Sequence, residues 1–231
     1  MNNYNDYELN NLPFKSALEI DKRTYCQYYI SLLKTKHILV FTFYNYNDYN
    51  SIILKTCIFL FSFSLYFTIN TLFYTDSTMH KIYEDEGRDY LIYRLPRILY
   101  STIISISFNY LIKYLSLSQK NLLQLKNAEN VENLNTKIKD TYRCLNIKFT
   151  LFFNISLLFL IFFWYYVSCF CAVYKNTQTY LIKDTLISFV LSLVYPIIIN
   201  TLPGLLRIQS LRESHSNREC MYKFSKLIQL I

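Results

Sequence analysis

Hydrophobic residues along this 231-residue chain gather into four long blocks that polar segments separate. A helix needs about 20 mostly apolar residues to cross roughly 30 Å of hydrocarbon at 1.5 Å per residue. The second block should carry Pro96 in its first turn, and the fourth should bend at Pro196 and end near Pro203 and Gly204. The pattern predicts an all-α, polytopic membrane protein with four transmembrane helices, at residues 51–74, 95–115, 149–173 and 185–206.

The polar segments predict what lies on either side of the membrane. The first, 1–50, is an amphipathic arm: it looks helical from Leu12 to Lys36, with an apolar stripe that suits a membrane surface. Its apolar run His37–Tyr44 is too short to span and is expected at the interface. Segment 116–148 has apolar residues at helical spacing and predicts a helical hairpin that turns near residues 127–130. The other segments are an acidic outer loop (75–94), a short outer loop (174–184) and a tail (207–231).

Positive charge gives the orientation. Of the 24 Lys and Arg residues, 18 flank the blocks on the side of the two termini and the hairpin. Because positive residues favour the cytosolic side, the arm, hairpin and tail are predicted to be cytosolic. No cleavable signal pattern precedes the first block, so that block is expected to act as a signal anchor. The sequence predicts an integral membrane protein and leaves plasma membrane and endomembrane both open.

The net charge of +8 bears on the partners. Because the basic residues flank apolar blocks, their position predicts contact with the lipid bilayer and with anionic lipid at its cytosolic face. Nucleic-acid binding is not predicted. We also expect a protein partner or self-association. Neither outer loop contains cysteine, so no disulfide framework is predicted.

Motifs for catalysis are missing from the sequence. With only two glycines there is no glycine-rich phosphate loop, and no GxSxG, HExxH or CxxC occurs. The three histidines fall in separate segments. The sequence therefore predicts a protein that is not an enzyme and needs no cofactor.

One outer stretch, TDSTMHKIYEDEG, concentrates groups that bind cations. On a short helix there, His80 and Glu84 would share a face at i,i+4 spacing. Zinc needs three or four ligands, so no metal site is predicted. A solvated loop is the preferred interpretation, and a cation-attracting loop at a pore mouth stays open. Its six residues are Asp76, His80, Glu84, Asp85, Glu86 and Asp89.

Each predicted crossing contains one asparagine. Asn109, Asn154 and Asn200 would lie about 6–10 Å above the cytosolic boundary, judged from their distance along the helix to the nearest basic residue. They predict a possible interhelical polar layer, which is either a packing clasp or a pore lining. A chance result of an asparagine-rich composition is equally open. Asn70, in the first crossing, falls outside this layer.

Four stretches carry a resemblance to a known group. They resemble a recurring multi-spanning region of uncharacterised protist proteins, chiefly ciliate-like, in which the region often forms the C-terminal part of a larger protein. The resemblance covers about 9–212 and transfers no functional residue. The stretches are LPFKSALEIDKRTYCQYYISLLKTKH, DSTMHKIYEDEG, FFWYYVSCFCAVYKNTQ and LIKDTLISFVLSLVYP.

Together these features predict a non-enzymatic, multi-pass membrane anchor or scaffold. Its basic cytosolic segments would contact lipid and partner proteins. The alternative is a subunit of a cation channel or transporter, which would use the asparagine layer and the acidic loop.

Overall fold

A computed structural model of the chain describes residues 4–45, 48–84, 91–126, 134–212 and 218–229. Within these ranges the regular elements are helical. They are α1 (Asp6–Asn11), α2 (Phe14–Ile20), α3 (Tyr25–Lys36), α4 (Ile38–Phe43), α5 (Ile52–Leu72), α6 (Asp76–Glu84), α7 (Leu91–Ser116), α8 (Gln119–Lys126), α9 (Leu134–Val173), α10 (Gln178–Ile199), α11 (Thr201–Arg212) and α12 (Arg218–Ile228), with a 3₁₀ turn at Lys175–Thr177 before α10.

Four helical segments of the described chain are long and apolar enough to cross a membrane: Ile52–Leu72, Leu95–Lys126, Asn135–Val173 and Lys175–Arg212. This confirms the prediction of an all-α protein with four helices of membrane-spanning length. α9 has 40 residues and is therefore about 60 Å long, twice the hydrocarbon thickness. Part of α9 consequently extends beyond any bilayer that its apolar half crosses.

The chain divides into two compact units, Ser51–Ser192 and a unit that joins Met1–Asn50 with Leu193–Ile231. We call the first the bundle unit and the second the terminal unit. In the bundle unit α5 is the most enclosed span: its Phe61, Leu65 and Ile69 pack with Phe163 of α9 in an apolar cluster. α9 exposes apolar side chains over much of its length, which suits a helix that faces lipid.

In the terminal unit part of the N-terminal arm is buried. Of the apolar stripe predicted for the arm, Tyr28 and Leu32 are buried and do not face a membrane, whereas Leu18 is 39% exposed. The helix predicted from Leu12 to Lys36 is also wrong as one element, because it breaks between α2 and α3. The Thr24 hydroxyl oxygen accepts a hydrogen bond from the Gln27 amide, and Gln27 Oε1 accepts one from the Thr24 amide, which fixes a helix start at Tyr25.

Two helix boundaries also differ from the predictions. α7 begins at Leu91, so Pro96 lies inside the helix and not in its first turn. The fourth crossing does not end at Pro203 and Gly204: after a break at Asn200, both residues fall early in α11. Pro203 is tolerated there because amides of a first helical turn lack an intrahelical acceptor. A Cβ at Gly204 would stand 2.9 Å from the Tyr25 ring, so glycine permits the close approach of α11 to α3.

The predicted hairpin is helical on both legs. α8 forms the first leg, and the second is the N-terminal part of α9. Lys148 Nζ of α9 donates a 2.6 Å hydrogen bond to the Leu117 carbonyl, just before α8. The predicted turn near 127–130 lies outside the described residues, and its cytosolic location stays a prediction.

Candidate functional site

The bundle unit carries polar side chains in steps of four residues on three helical segments. Four residues advance an α-helix by about 6 Å and return to nearly the same face. The steps therefore build three successive polar layers along the axis of the bundle. The members are Tyr74, Asn70 and Tyr66 on and just after α5; Arg97, Ser101, Ser105 and Asn109 on α7; and Asp184, Ser188 and Ser192 on α10.

The first layer is a buried ion pair. Asp184 has a fully buried side chain and pairs through Oδ2 with Arg97, whose side chain is only 9% exposed. The Tyr74 hydroxyl donates a 2.7 Å hydrogen bond to the same carboxylate oxygen. The Arg97 guanidinium also lies 4.0 Å from the centre of the Tyr74 ring, within cation–π range. The opposite charge of each partner offsets part of the cost of burying the other.

The second layer is centred on the Asn70 amide, which is fully buried. Asn70 Oδ1 accepts hydrogen bonds from the hydroxyls of Ser101, at 2.9 Å, and Ser188, at 3.3 Å. Its Nδ2 donates to the Tyr66 carbonyl of its own helix at 2.8 Å. One asparagine thus connects α5, α7 and α10. Such interhelical bonds contribute about 0.6 kcal/mol on average.

The third layer is less completely paired. The Tyr66 side chain interacts with the side chains of Ser192 and Asn109. Ser105 Oγ and Asn109 Oδ1 are buried without a hydrogen-bond partner. The Oγ1 of Thr185, the residue after Asp184 in the chain, is buried and unpartnered in the same way. The side chains of the second layer are therefore hydrogen-bonded to one another, whereas the third layer contains buried polar atoms without a hydrogen-bond partner.

The terminal unit contains a second polar centre around Arg207 of α11. Its side chain is fully buried and pairs with the fully buried carboxylate of Asp21, with a distance of 2.9 Å between Nη2 and Oδ2. Arg23 also holds Asp21, through a 2.7 Å bond from Nε. The rings of Tyr28 and Tyr222 lie on the guanidinium, each with its centre 4.8 Å away. Arg207 is therefore enclosed by one carboxylate and two aromatic faces.

Arg207 and its neighbours also cap α1. The last carbonyl groups of a helix have no intrahelical donor, and cations are favourable at that end. In α1 and at its C-cap, four successive carbonyls receive donors from the C-terminal helices. Arg207 donates to Asn10 (2.9 Å) and Leu9 (2.6 Å), Tyr222 to Leu12 (2.7 Å), and Lys226 to Asn11 (3.0 Å) and Leu12 (2.6 Å).

The titration of these groups follows their surroundings. Burial acts to raise the pKa of Asp21, but the guanidinium groups of Arg23 and Arg207 outweigh it and hold the pKa below the ordinary 3.8. Burial raises the pKa of Tyr222 to about 12 and lowers the pKa of Lys36 to about 8. The two arginines therefore keep Asp21 ionised at neutral pH, and Tyr222 keeps the proton that it donates to the Leu12 carbonyl.

The two asparagines of the predicted layer that belong to the bundle unit, Asn109 and Asn154, are placed differently. Asn109 is buried in the third layer, whereas Asn154 is exposed on α9 and donates to the Thr150 carbonyl of its own helix at 2.9 Å. Asn200 belongs to the terminal unit and donates to the Pro196 carbonyl at 2.6 Å. The polar centre of the bundle lies instead on Asn70. Its signal in the sequence is the four-residue spacing of Ser101, Ser105, Ser188 and Ser192 in the facing helices.

The acidic outer stretch forms α6, the short helix on which the i,i+4 pairing depends. His80 Nε2 and Glu84 Oε1 lie 3.1 Å apart, and their side chains are 71% and 60% exposed. Asp76 Oδ1 accepts a 3.4 Å hydrogen bond from the Tyr174 hydroxyl. Asp85, Glu86 and Asp89 lie outside the described residues. Among described residues no group of three or more His, Cys, Asp or Glu side chains is placed to hold a metal ion.

Comparison with known proteins indicates no function for this chain, so any functional proposal rests on the geometry described above. No family model, curated protein or solved structure matches this chain. The protist resemblance therefore stays a prediction. The fold defines a class, an all-helical protein with four helices that can cross a membrane.

Proposed function

We propose that this chain is a non-enzymatic, multi-pass membrane anchor or scaffold. Its basic segments contact anionic lipid and partner proteins on the cytosolic face. The observation that carries the proposal is the junction in which α1 is capped by Arg207, Tyr222 and Lys226. Two ends of the chain that are separated by four potential crossings meet there in one folded unit. An even number of crossings accounts for both ends lying on one side.

The outer face of α12 supports contact with lipid. Phe224 and Leu227 are 52% and 59% exposed, and Cys220 lies one turn before Phe224 on the same face. Lys223 is exposed beside them and forms an exposed i,i+4 ion pair with Glu219, with 2.9 Å between Nζ and Oε1. Exposed apolar and basic residues on one short helix are typical of an element that lies at an anionic membrane surface.

Native Cys220 allows a direct test. We would attach an environment-sensitive fluorophore to Cys220 of the full-length protein, with the exposed Cys26, Cys144 and Cys169 changed to serine. In lipid nanodiscs that contain phosphatidylserine, the emission should shift to the blue relative to neutral nanodiscs, and high salt should reverse the shift.

The matched variant is Lys223→Glu, which should weaken the shift without disturbing the buried face of α12. Emission that is identical in neutral and anionic nanodiscs would remove the lipid-binding part of the proposal.

The channel or transporter alternative is favoured by a different observation, the buried ion pair of Arg97 and Asp184. Ionised groups inside a membrane bundle often belong to transport pathways. Reproducible, ion-selective current from the purified protein in planar bilayers, altered by Asp184→Asn, would replace the anchor with this alternative. We expect no such current, because both charges are already paired with each other.

A further inference from the structure

The polar layers of the bundle unit contain hydroxyl groups whose hydrogen bonds are missing. Serine and threonine in helices usually donate to a carbonyl three or four residues earlier, as Thr102 does to Ile98 and Ser107 to Ile103. Ser105 and Thr185 are completely buried, yet their hydroxyl oxygens have no such partner. A buried hydroxyl without a partner is costly, so these two require an explanation.

The unpartnered groups share one interface. Thr185, Ser188 and Ser192 occupy one face of α10 at steps of three and four residues. Ser105 lies one turn from Ser101 and one turn from Asn109 on α7. Since Ser101 and Ser188 both bond to Asn70, these faces of α7 and α10 are directed at α5. These unpartnered polar groups therefore belong to one polar column.

The spacing along this column fits one kind of ligand. Successive layers are about 6 Å apart, which is too far for a direct hydrogen bond between side chains. One water molecule that bonds to both neighbours spans roughly 5.5 Å. Each such water needs two to four polar partners, and the column supplies hydroxyl and amide groups at every turn.

We propose that the interface of α5, α7 and α10 binds water molecules on either side of the Asn70 layer, beside Thr185 and beside Ser105 and Asn109. The waters accept from and donate to the Thr185 and Ser105 hydroxyls and donate to Asn109 Oδ1. This site goes beyond the anchor function and does not depend on it.

Replacement of Thr185 by valine distinguishes a hydrated column from a dry one by the sign of its effect. Valine keeps the shape and removes the hydroxyl. In a hydrated column a water loses a ligand, and the melting temperature of the full-length protein in nanodiscs should fall. In a dry column an unsatisfied hydroxyl is removed, and the melting temperature should rise. The control is Thr56→Val, since that hydroxyl donates to the Ile52 carbonyl of its own helix.

Hydroxyl-radical footprinting gives a second, independent measurement. Radicals form from water, so a cysteine beside buried water is oxidised, whereas one that faces lipid is protected. We would compare Ser105→Cys with Ser107→Cys, two residues apart on α7 but buried and exposed respectively, and locate the oxidation by mass spectrometry. Several-fold faster oxidation at position 105 is expected. Equal oxidation at both positions, or a higher melting temperature for Thr185→Val, would overturn the proposal and leave the anchor function unaffected.

Discussion

The most informative perturbation of the terminal unit is Arg207→Leu. The change removes the donors to the Leu9 and Asn10 carbonyls, which are then left unsatisfied at about 1–3 kcal/mol each. It also removes one of the two arginines that hold Asp21, while Arg23 still compensates the carboxylate. Breaking a buried pair costs about 3–5 kcal/mol in general. With Arg23 in place, we expect a loss of about 3–5 kcal/mol for the contacts as a whole.

Hydrogen exchange of the full-length protein in nanodiscs measures this loss where it occurs. Local opening of the terminal unit exposes the amides of α1, and each 1.4 kcal/mol changes the opening equilibrium tenfold. Peptides that cover Asp6–Asn11 should therefore exchange roughly a hundred- to several-thousand-fold faster in Arg207→Leu. Exchange within α5 and α9 should not change, since these helices belong to the other unit.

Arg212→Leu is the matched control. Arg212 lies on the same helix but is exposed, and its guanidinium donates only a 3.3 Å bond to the Arg23 carbonyl. An exposed substitution of this kind changes stability by about 0.5 kcal/mol or less. If Arg207→Leu and Arg212→Leu exchanged alike in α1, the buried junction would not be what holds the arm in place.

Three further predictions concern the bundle, pH and topology. Asn70→Leu should lower the stability of the bundle by about 1–2 kcal/mol, because that amide bonds to two other helices. Asn154→Leu should leave the stability nearly unchanged, because the Asn154 amide is bonded only within its own helix. Comparable losses for the two variants in thermal melts in nanodiscs would contradict this difference. The pKa of Lys36 is about 8 when folded and 10.5 when unfolded, so the unfolded state binds more protons between these values. Stability should therefore rise with pH across that window, by at most about 3 kcal/mol from this residue, and Lys36→Met should reduce the rise in chemical denaturation experiments. In intact cells or sealed vesicles of native orientation, a membrane-impermeant thiol reagent should label Ser77→Cys without permeabilisation and native Cys144 only after it; the reverse pattern would invert the orientation.

Local pattern accounts for much of the bundle but not for its polar centre. Asn109, Asn154 and Asn200 suggest a layer because their distances to basic residues are similar, but linear distance does not say toward which neighbour a side chain points. Helix rotation is set by packing, and packing turned Asn154 outward. Asn70 became the centre because its partners Ser101 and Ser188, 31 and 118 residues away, lie on the helix faces that pack against α5.

The sequence by itself determined the number of helices that are long and apolar enough to cross a membrane, and the positions of most of them, because length and hydropathy are local properties. It also contained the residues of both polar centres. Only the tertiary structure decided that the arm is enclosed in a unit with the tail, since the bond from Arg207 to Asn10 joins residues 197 positions apart. No local periodicity encodes a pairing of that range. It is selected by the unsatisfied carbonyls at the end of α1, which need donors, and by a buried arginine, which needs acceptors.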